Sequence, residues 1–271
     1  MKPGISYSLW KEEHRSFLET LPGKNIFLLF SGGKDSSIAL DFTLRAAKEF
    51  GFDFETHAGA YPVHRYTDSE KEKISYYWNN RSIDILWHDL GETDDYIQAE
   101  ENPCLPCQKL RKGMLKTILI SSIDDWGNLV LIISYSLWDI VSYSMEHILG
   151  GVFSNSGHGI GVEQSKRFRE TAQRFYPLIR MKEGYSIFRP LIKFNGNDIL
   201  ELIGQEGIPI LSVPCKFKDF RPKRILEKYY EKMGIRFDYD QVFDFAKKSL
   251  DLPDITSYTS IAKEEYLGRI F

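Results

Sequence analysis

Apolar positions in this chain fall into short continuous runs, each followed by a stretch with helical spacing. Lys24 to Phe30 carries a continuous apolar run of strand length, with Ser31-Gly32-Gly33-Lys34-Asp35-Ser36 directly behind it. Ser37 to Phe50 then shows helical periodicity and stops at Gly51, a residue suited to a left-handed helix end. The alternation recurs as a strand at Phe54 to Pro62, a polar helix at Ser69 to Asn79 and a strand at Ile83 to His88. A helix at Leu110 to Ser121, a strand at Asn128 to Ile133 and a helix at Trp138 to Leu149 follow. Repeated strand and helix units predict an α/β fold, a Rossmann-like parallel sheet with helices on both faces. Gly150 to Gln164 interrupts the pattern with crowded glycines and is expected to be a mobile loop. Beyond it come a polar helix to Tyr176, an apolar stretch Ile187 to Ile192 and a helix opened by Asn195 to Asp198. The tail from Phe217 reads as helical, aromatic and charged, and its pattern assigns it no chemistry. The expected organisation is an N-terminal segment (1–23), an α/β domain (24–216) and a helical C-terminal extension (217–271).

Composition narrows the class. With 42% hydrophobic and 14% aromatic residues in 271, the chain buries a substantial core, which excludes a disordered or fibrous protein. The 35 Lys+Arg against 38 Asp+Glu leave a net charge of −3, so contact with nucleic acid has to come from a local patch. No apolar run approaches the roughly 18 residues that cross a bilayer, and Met1 to Glu13 lacks a signal-type stretch. A cytoplasmic protein without a membrane partner is the expectation. Three cysteines, Cys104, Cys107 and Cys215, are too few and too odd in number for a secreted disulfide framework.

Ser31 to Ser36 carries the clearest chemistry. A buried strand that delivers the chain to two glycines and then to a helix start makes backbone N–H groups converge on one point, a nest for an anion. Lys34 adds a point charge, and the hydroxyls of Ser31, Ser36 and Ser37 can donate to phosphate oxygens. Asp35 would repel phosphate unless it holds Mg²⁺ or caps the helix, so metal or catalytic duty is its expected role. The segment is neither a Walker A loop nor a dinucleotide G-x-G-x-x-G fingerprint.

Cys104-Leu105-Pro106-Cys107 leads into Gln108-Lys109-Leu110-Arg111-Lys112, while Cys215 stands alone far downstream. Three readings stay open on chemistry alone. A thioredoxin-like pair would leave Cys215 idle. A structural zinc needs a fourth ligand, such as His57 or His147. An iron–sulfur cluster on three cysteines would leave one iron open.

The hexapeptide resembles the signature of the PP-loop ATP pyrophosphatases. Within that group the chain is similar to the iron–sulfur-dependent tRNA thiolases of the TtcA/TtuA type. The carrying segments are Pro103 to Arg111, Ile208 to Cys215 and Arg189-Pro190-Leu191, in the family's order over roughly Lys24 to Lys218. The resemblance implies ATP and Mg²⁺ at Ser31, Gly32, Gly33, Lys34, Asp35 and Ser36, with cleavage between the α and β phosphates. It implies a [4Fe–4S] cluster on Cys104, Cys107 and Cys215 that delivers sulfur to an adenylated carbonyl of a tRNA base. Lys34, Asp35 and Asp139 would be the catalytic set, with Lys109, Arg111 and Lys112 contacting substrate. A sulfur donor, either sulfide or a persulfide from a cysteine desulfurase, and a homodimer belong to the same picture. One departure concerns the family's G-H-H-x-x-D segment, where Ser134-Tyr135-Ser136-Leu137-Trp138-Asp139 keeps only the aspartate. The zinc-finger cysteine pairs of some members are also missing. Both differences weaken tRNA as the acceptor and favour, as alternatives, a free nucleotide or small metabolite. An amide-forming ATP pyrophosphatase with a structural metal, or a nucleotide-binding regulatory module, are the readings from other classes. His57, His64 and His88 near strand ends, and the aromatic residues Tyr229, Tyr230, Phe237, Tyr239, Phe243 and Phe245, are expected to pack rather than to react.

Overall fold

The computed structural model describes residues 4–152, 168 and 170–270. Most of the predicted Gly150–Gln164 loop, including His158, therefore lies outside the described residues. Six strands form one sheet in the order β3-β2-β1-β4-β6-β5, with β1 Asn25–Phe30, β2 Glu55–Gly59, β3 Ile85–His88, β4 Leu129–Ile133, β5 Leu178–Arg180 and β6 Ser186–Phe188. All neighbours pair in parallel except β5, which returns antiparallel on β6. The antiparallel edge follows from a short connection: Gly184, at φ +93°, closes the turn between the two strands, with no room for a crossover helix.

Side chains alternate across the sheet. Ile26, Leu28 and Phe30 of β1 with Val130 and Ile132 of β4 enter one apolar core, and Phe27 with Leu129 and Leu131 enters the other. The first core is covered by α1 (Tyr7–Leu18), α2 (Lys34–Phe50), α3 (Asp68–Asn79) and α7 (Gly196–Glu206). The second lies under α6 (Leu137–His147) and two helices of the tail, α8 (Pro222–Met233) and α9 (Tyr239–Ser249). A short α4 (Asp95–Gln98) packs on α5 (Cys104–Ser122). Helix boundaries follow local chemistry. Ser6 and Thr67 accept from the backbone N–H groups of Leu9 and Glu70 to open α1 and α3. Gly51, at φ +74°, closes α2 where the sequence placed its end.

Both termini share cores with the sheet. Trp10, fully buried, donates its indole N–H to the Pro190 carbonyl, and Tyr230 stacks edge-on to Trp138 and Phe237. Tyr239 and Phe243 also pack, as expected from their spacing, whereas Tyr229 and Phe245 point outward at 55% and 45% exposure. The strand order reverses between β1 and β4. The C-terminal ends of these two strands open the crevice where ligands of such sheets bind.

Candidate functional site

The β1–α2 turn closes on itself through its own backbone and serines. Gly32 takes φ +67°, in the left-handed region, and a Cβ there would lie 2.7 Å from the Leu211 side chain. Ser36 Oγ donates to the Gly33 carbonyl at 3.0 Å and accepts from the Ser31 N–H at 3.2 Å, which closes the loop on itself. Tyr66 donates its phenol to the Ser31 carbonyl at 3.0 Å, and the Leu211 N–H donates to the Gly32 carbonyl at 2.8 Å. The Ser31, Gly32 and Gly33 carbonyls are thereby all engaged as acceptors at the start of α2. Lys34 reaches Asp35 at 2.6 Å and lies 5.5 Å from the Trp138 ring.

The segment after β4 supplies the second wall. Ser136 and Asp139 form a reciprocal capping box at the start of α6, the Ser136 N–H donating to Asp139 Oδ2 at 2.8 Å. Asp139 Oδ1 pairs with Lys223, which α8 brings in from the tail. Lys223 also lies 3.6 Å from Glu227 and within electrostatic reach of Lys34 and Asp35. Burial and the cations Arg224 and Lys34 push the Lys223 ammonium down, against the pull of Glu227 and Asp35. Burial pushes Glu227 up, yet Lys223, Arg224 and Lys34 together hold its carboxyl below the usual range. The tail thus brings a lysine beside the Ser31–Ser36 loop, a placement its sequence pattern did not signal.

A strap, residues 207–221, ties this turn to the cysteines. Ser212 donates both its N–H and its hydroxyl to Glu70. Arg65 donates to the Val213 carbonyl at 3.2 Å, and the Lys216 N–H donates to His64 Nε2 at 2.9 Å. Because His64 Nε2 accepts, its proton sits on Nδ1, which donates to Asp94 at 2.6 Å. His64 is therefore an anchor of the strap, consistent with the packing role expected of it. His57 stacks on Phe27 and bonds His88 at 3.0 Å, away from the phosphate loop.

Helix α5 begins at Cys104, earlier than the periodicity placed it. Both Cys104 and Cys107 sit in its first turn, where the helix dipole favours thiolate. The Cys104 N–H is capped by Asn102, and its Sγ contacts the Phe217 carbonyl at 3.5 Å. Cys104, Cys107 and Cys215 share one small apolar pocket with Tyr61, Ile97, Leu90, Leu110 and Phe217. Burial pushes the Cys104 and Cys107 thiols up, against a weaker pull from Arg221 on both and from Arg111 on Cys107. Among the described residues no group of three or more His, Cys, Asp or Glu side chains closes around a single ion. All three cysteines are free, and Cys107 and Cys215 pack against the small apolar cluster that contains Cys104.

The structure separates the three basic residues that follow Cys107. Arg111 acts on the Cys107 thiol, whereas Lys109 and Lys112, joined by Lys116, line an outer groove of about 370 Å³ with Leu105 and Leu267.

No protein-family model matches the chain, and no curated protein sequence matches it. Among solved structures, the U34-tRNA thiolase NcsA from Methanococcus maripaludis with its [4Fe-4S] cluster superposes with a TM-score of 0.64 at 12% identity, over 97% of this chain and 89% of that one. The NH3-dependent NAD synthetase from Campylobacter jejuni subsp. jejuni NCTC 11168, in complex with the nitrate ion, aligns over 98% of both chains at 14% identity with a TM-score of 0.41. The chain has the α/β PP-loop fold.

Proposed function

We propose that the protein is an ATP-dependent sulfurtransferase that adenylates a carbonyl oxygen of a tRNA base and replaces that oxygen with sulfur. The observation that carries this reading is the strap. It joins a self-closed Ser31–Ser36 cradle, through Leu211, to a pocket holding all three cysteines of the chain. ATP phosphates lie on the loop N–H groups, with Lys34 and Lys223 countering the charge that develops as pyrophosphate leaves. Asp35 would hold Mg²⁺, which would supply charge neutralisation at the phosphates when bound. Asp139 has one oxygen on the Ser136 cap and the other on Lys223, so we assign it the positioning of Lys223 rather than Mg²⁺.

The acceptor oxygen attacks the α-phosphorus, the α–β bond breaks, and replacement of the adenylated oxygen by sulfide releases AMP. Cys104, Cys107 and Cys215 would hold a [4Fe–4S] cluster, which supplies Lewis-acid chemistry and sulfur when bound. Arg111 keeps the cysteine pocket electropositive, and Lys109 and Lys112 contact the acceptor. A free nucleotide acceptor remains the second reading, favoured by Tyr135 and Ser136 standing where the family has histidines. A soluble cytoplasmic enzyme, working as a homodimer and fed by sulfide or a persulfide donor, completes the proposal. Among the described residues no helix is long and apolar enough to cross a membrane.

Iron and acid-labile sulfide, measured after anoxic reconstitution, test the cluster. Near four of each per chain in the wild type, and a large loss in Cys215→Ser, are expected. Zinc at full occupancy without iron would contradict the reading and favour an amide-forming enzyme with a structural metal.

A further inference from the structure

Arg65 leaves most of its donors unused. It ends the short 3₁₀ turn Val63–Arg65 that follows β2, and it is half-buried. Its Nε–H donates to the Val213 carbonyl at 3.2 Å, and its guanidinium lies 5.8 Å from the centre of the Tyr66 ring. Among the described residues its Nη groups make no hydrogen bond, and no carboxylate lies within ion-pair distance of it. Glu70 feels the Arg65 charge, but its two oxygens are taken by the N–H and the hydroxyl of Ser212. A guanidinium drawn partly out of water normally carries an anion on its Nη edge.

The neighbours of Arg65 fix where that edge stands. Tyr66, the next residue, donates its phenol to the Ser31 carbonyl at 3.0 Å. On the strap, Val213 lies two residues after Leu211, whose N–H holds the Gly32 carbonyl at 2.8 Å. It also lies two residues before Cys215, at most about 7 Å of extended chain. Arg65 is thus tied to the midpoint of the link between the Ser31–Ser36 loop and the third cysteine. Burial pushes the guanidinium down, and Cys215 is among the groups that oppose this. The turn is held firmly: Asp94 accepts from the Val63 and His64 N–H groups, each at 2.9 Å, and His64 Nε2 accepts from the Lys216 N–H. A donor fixed in this way needs little reorganisation to meet developing charge.

We propose that the Nη edge of Arg65 grips the α-phosphate of ATP and keeps hold of it when it becomes the phosphate of the adenylated acceptor. This inference rests on the ATP-dependent sulfurtransferase reading and deepens it, by adding a residue at the reacting phosphorus. In that reading pyrophosphate leaves on the side of the loop and sulfur arrives from the side of the cysteines, so the phosphoryl group that is transferred stands between them. The acceptor oxygen forms a bond to the α-phosphorus while the α–β bridging bond breaks, and its electron pair departs with pyrophosphate. Two non-bridging oxygens stay on the α-phosphorus throughout. A planar guanidinium matches such a pair of oxygens bidentately, where a lysine offers only a point charge.

Equilibrium titrations of the full chain with adenosine, AMP, ATP and inorganic pyrophosphate test the contact without turnover or sulfur. The wild type is expected to bind AMP roughly tenfold or more tighter than adenosine. Arg65→Gln should remove most of that preference, while pyrophosphate, which sits on the Ser31–Ser36 loop, binds as before. Arg65→Lys keeps the charge and loses the fork, so its preference should fall below that of the wild type; it decides alone should the glutamine variant not fold. A preference for AMP that survives the substitution would overturn the contact. So would an equal loss for adenosine, AMP and pyrophosphate, the signature of a residue that only braces the strap. A loss confined to a single-stranded oligoribonucleotide would move Arg65 to the acceptor backbone and also overturn the assignment. A wild type that binds neither ATP nor pyrophosphate would instead overturn the ATP-dependent reading, and an Arg65-dependent AMP preference in protein that never transfers sulfur would overturn thiolation alone.

Discussion

Asp139 does two structural jobs at once: it caps α6 and neutralises Lys223 beside the phosphate loop. Its replacement by alanine leaves a buried ammonium whose nearest remaining carboxylate is Glu227, 3.6 Å away, and is expected to cost about 3 kcal/mol. Lys223→Met, which leaves the cap in place, should cost less stability yet slow ATP cleavage by roughly 30-fold or more. Urea midpoints and pyrophosphate release separate the two effects. His14 is another buried group with a measurable signature. It is 7% exposed, lies 3.0 Å from the Pro190 carbonyl, and is pushed down to about 4 by burial. The unfolded chain takes up this proton near 6.5, so between 6.5 and 4 the unfolded state binds more protons. Stability therefore falls as pH falls through that window, by about 3 kcal/mol in full. His14→Gln, which keeps a donor and does not titrate, should show a correspondingly flatter pH profile in urea unfolding. Asp139 stood out in sequence through the segment it ends, but its pairing with Lys223 did not, and His14 was not readable at all, because both owe their environment to elements far along the chain.

Among the elements, the β1–α2 turn was the most legible, since strand, paired glycines and helix are contiguous and their chemistry is local. Gly32→Ala meets both the positive φ and the Leu211 side chain, and is expected to weaken ATP binding by roughly tenfold or more. Gly113→Ala, on the exposed face of α5 with nothing within 4 Å, should instead stabilise the protein by about 0.5–1 kcal/mol. The two substitutions measured side by side separate a required glycine from an incidental one. The basic run after Cys107 was only half legible. Adjacency in sequence grouped Lys109, Arg111 and Lys112, but 100° per residue turns Arg111 toward the cysteines and the lysines toward the groove. Helical spacing held that signal. The strap was not legible, because its hydrogen bonds to Glu70, His64 and Arg65 are between segments more than 140 residues apart. Glu70→Ala strands the Ser212 donors. A loss of about 2 kcal/mol and reduced iron retention are expected, measured by unfolding and by metal content.

At the scale of the molecule, the sheet order places the phosphate loop and the β4–α6 turn side by side, and the strap carries Cys215 across to the first turn of α5. The parallel α/β architecture was readable from alternating apolar runs, whereas the antiparallel β5 edge was not, being only three residues long. The tail's contribution of Lys223 was hidden for a related reason: a lysine in a charged amphipathic helix looks like a solvated one until the helix is docked. The proposed function depends above all on ATP cleavage at Ser31–Ser36 being coupled to sulfur entering a base. The direct measurement is mass spectrometry of nucleosides digested from bulk tRNA after anoxic incubation with reconstituted protein, ATP, Mg²⁺ and sulfide. A thiolated nucleoside that requires ATP and disappears in Cys215→Ser is the predicted result. Release of AMP and pyrophosphate with no sulfur in either tRNA or a parallel pool of free nucleotides would contradict it.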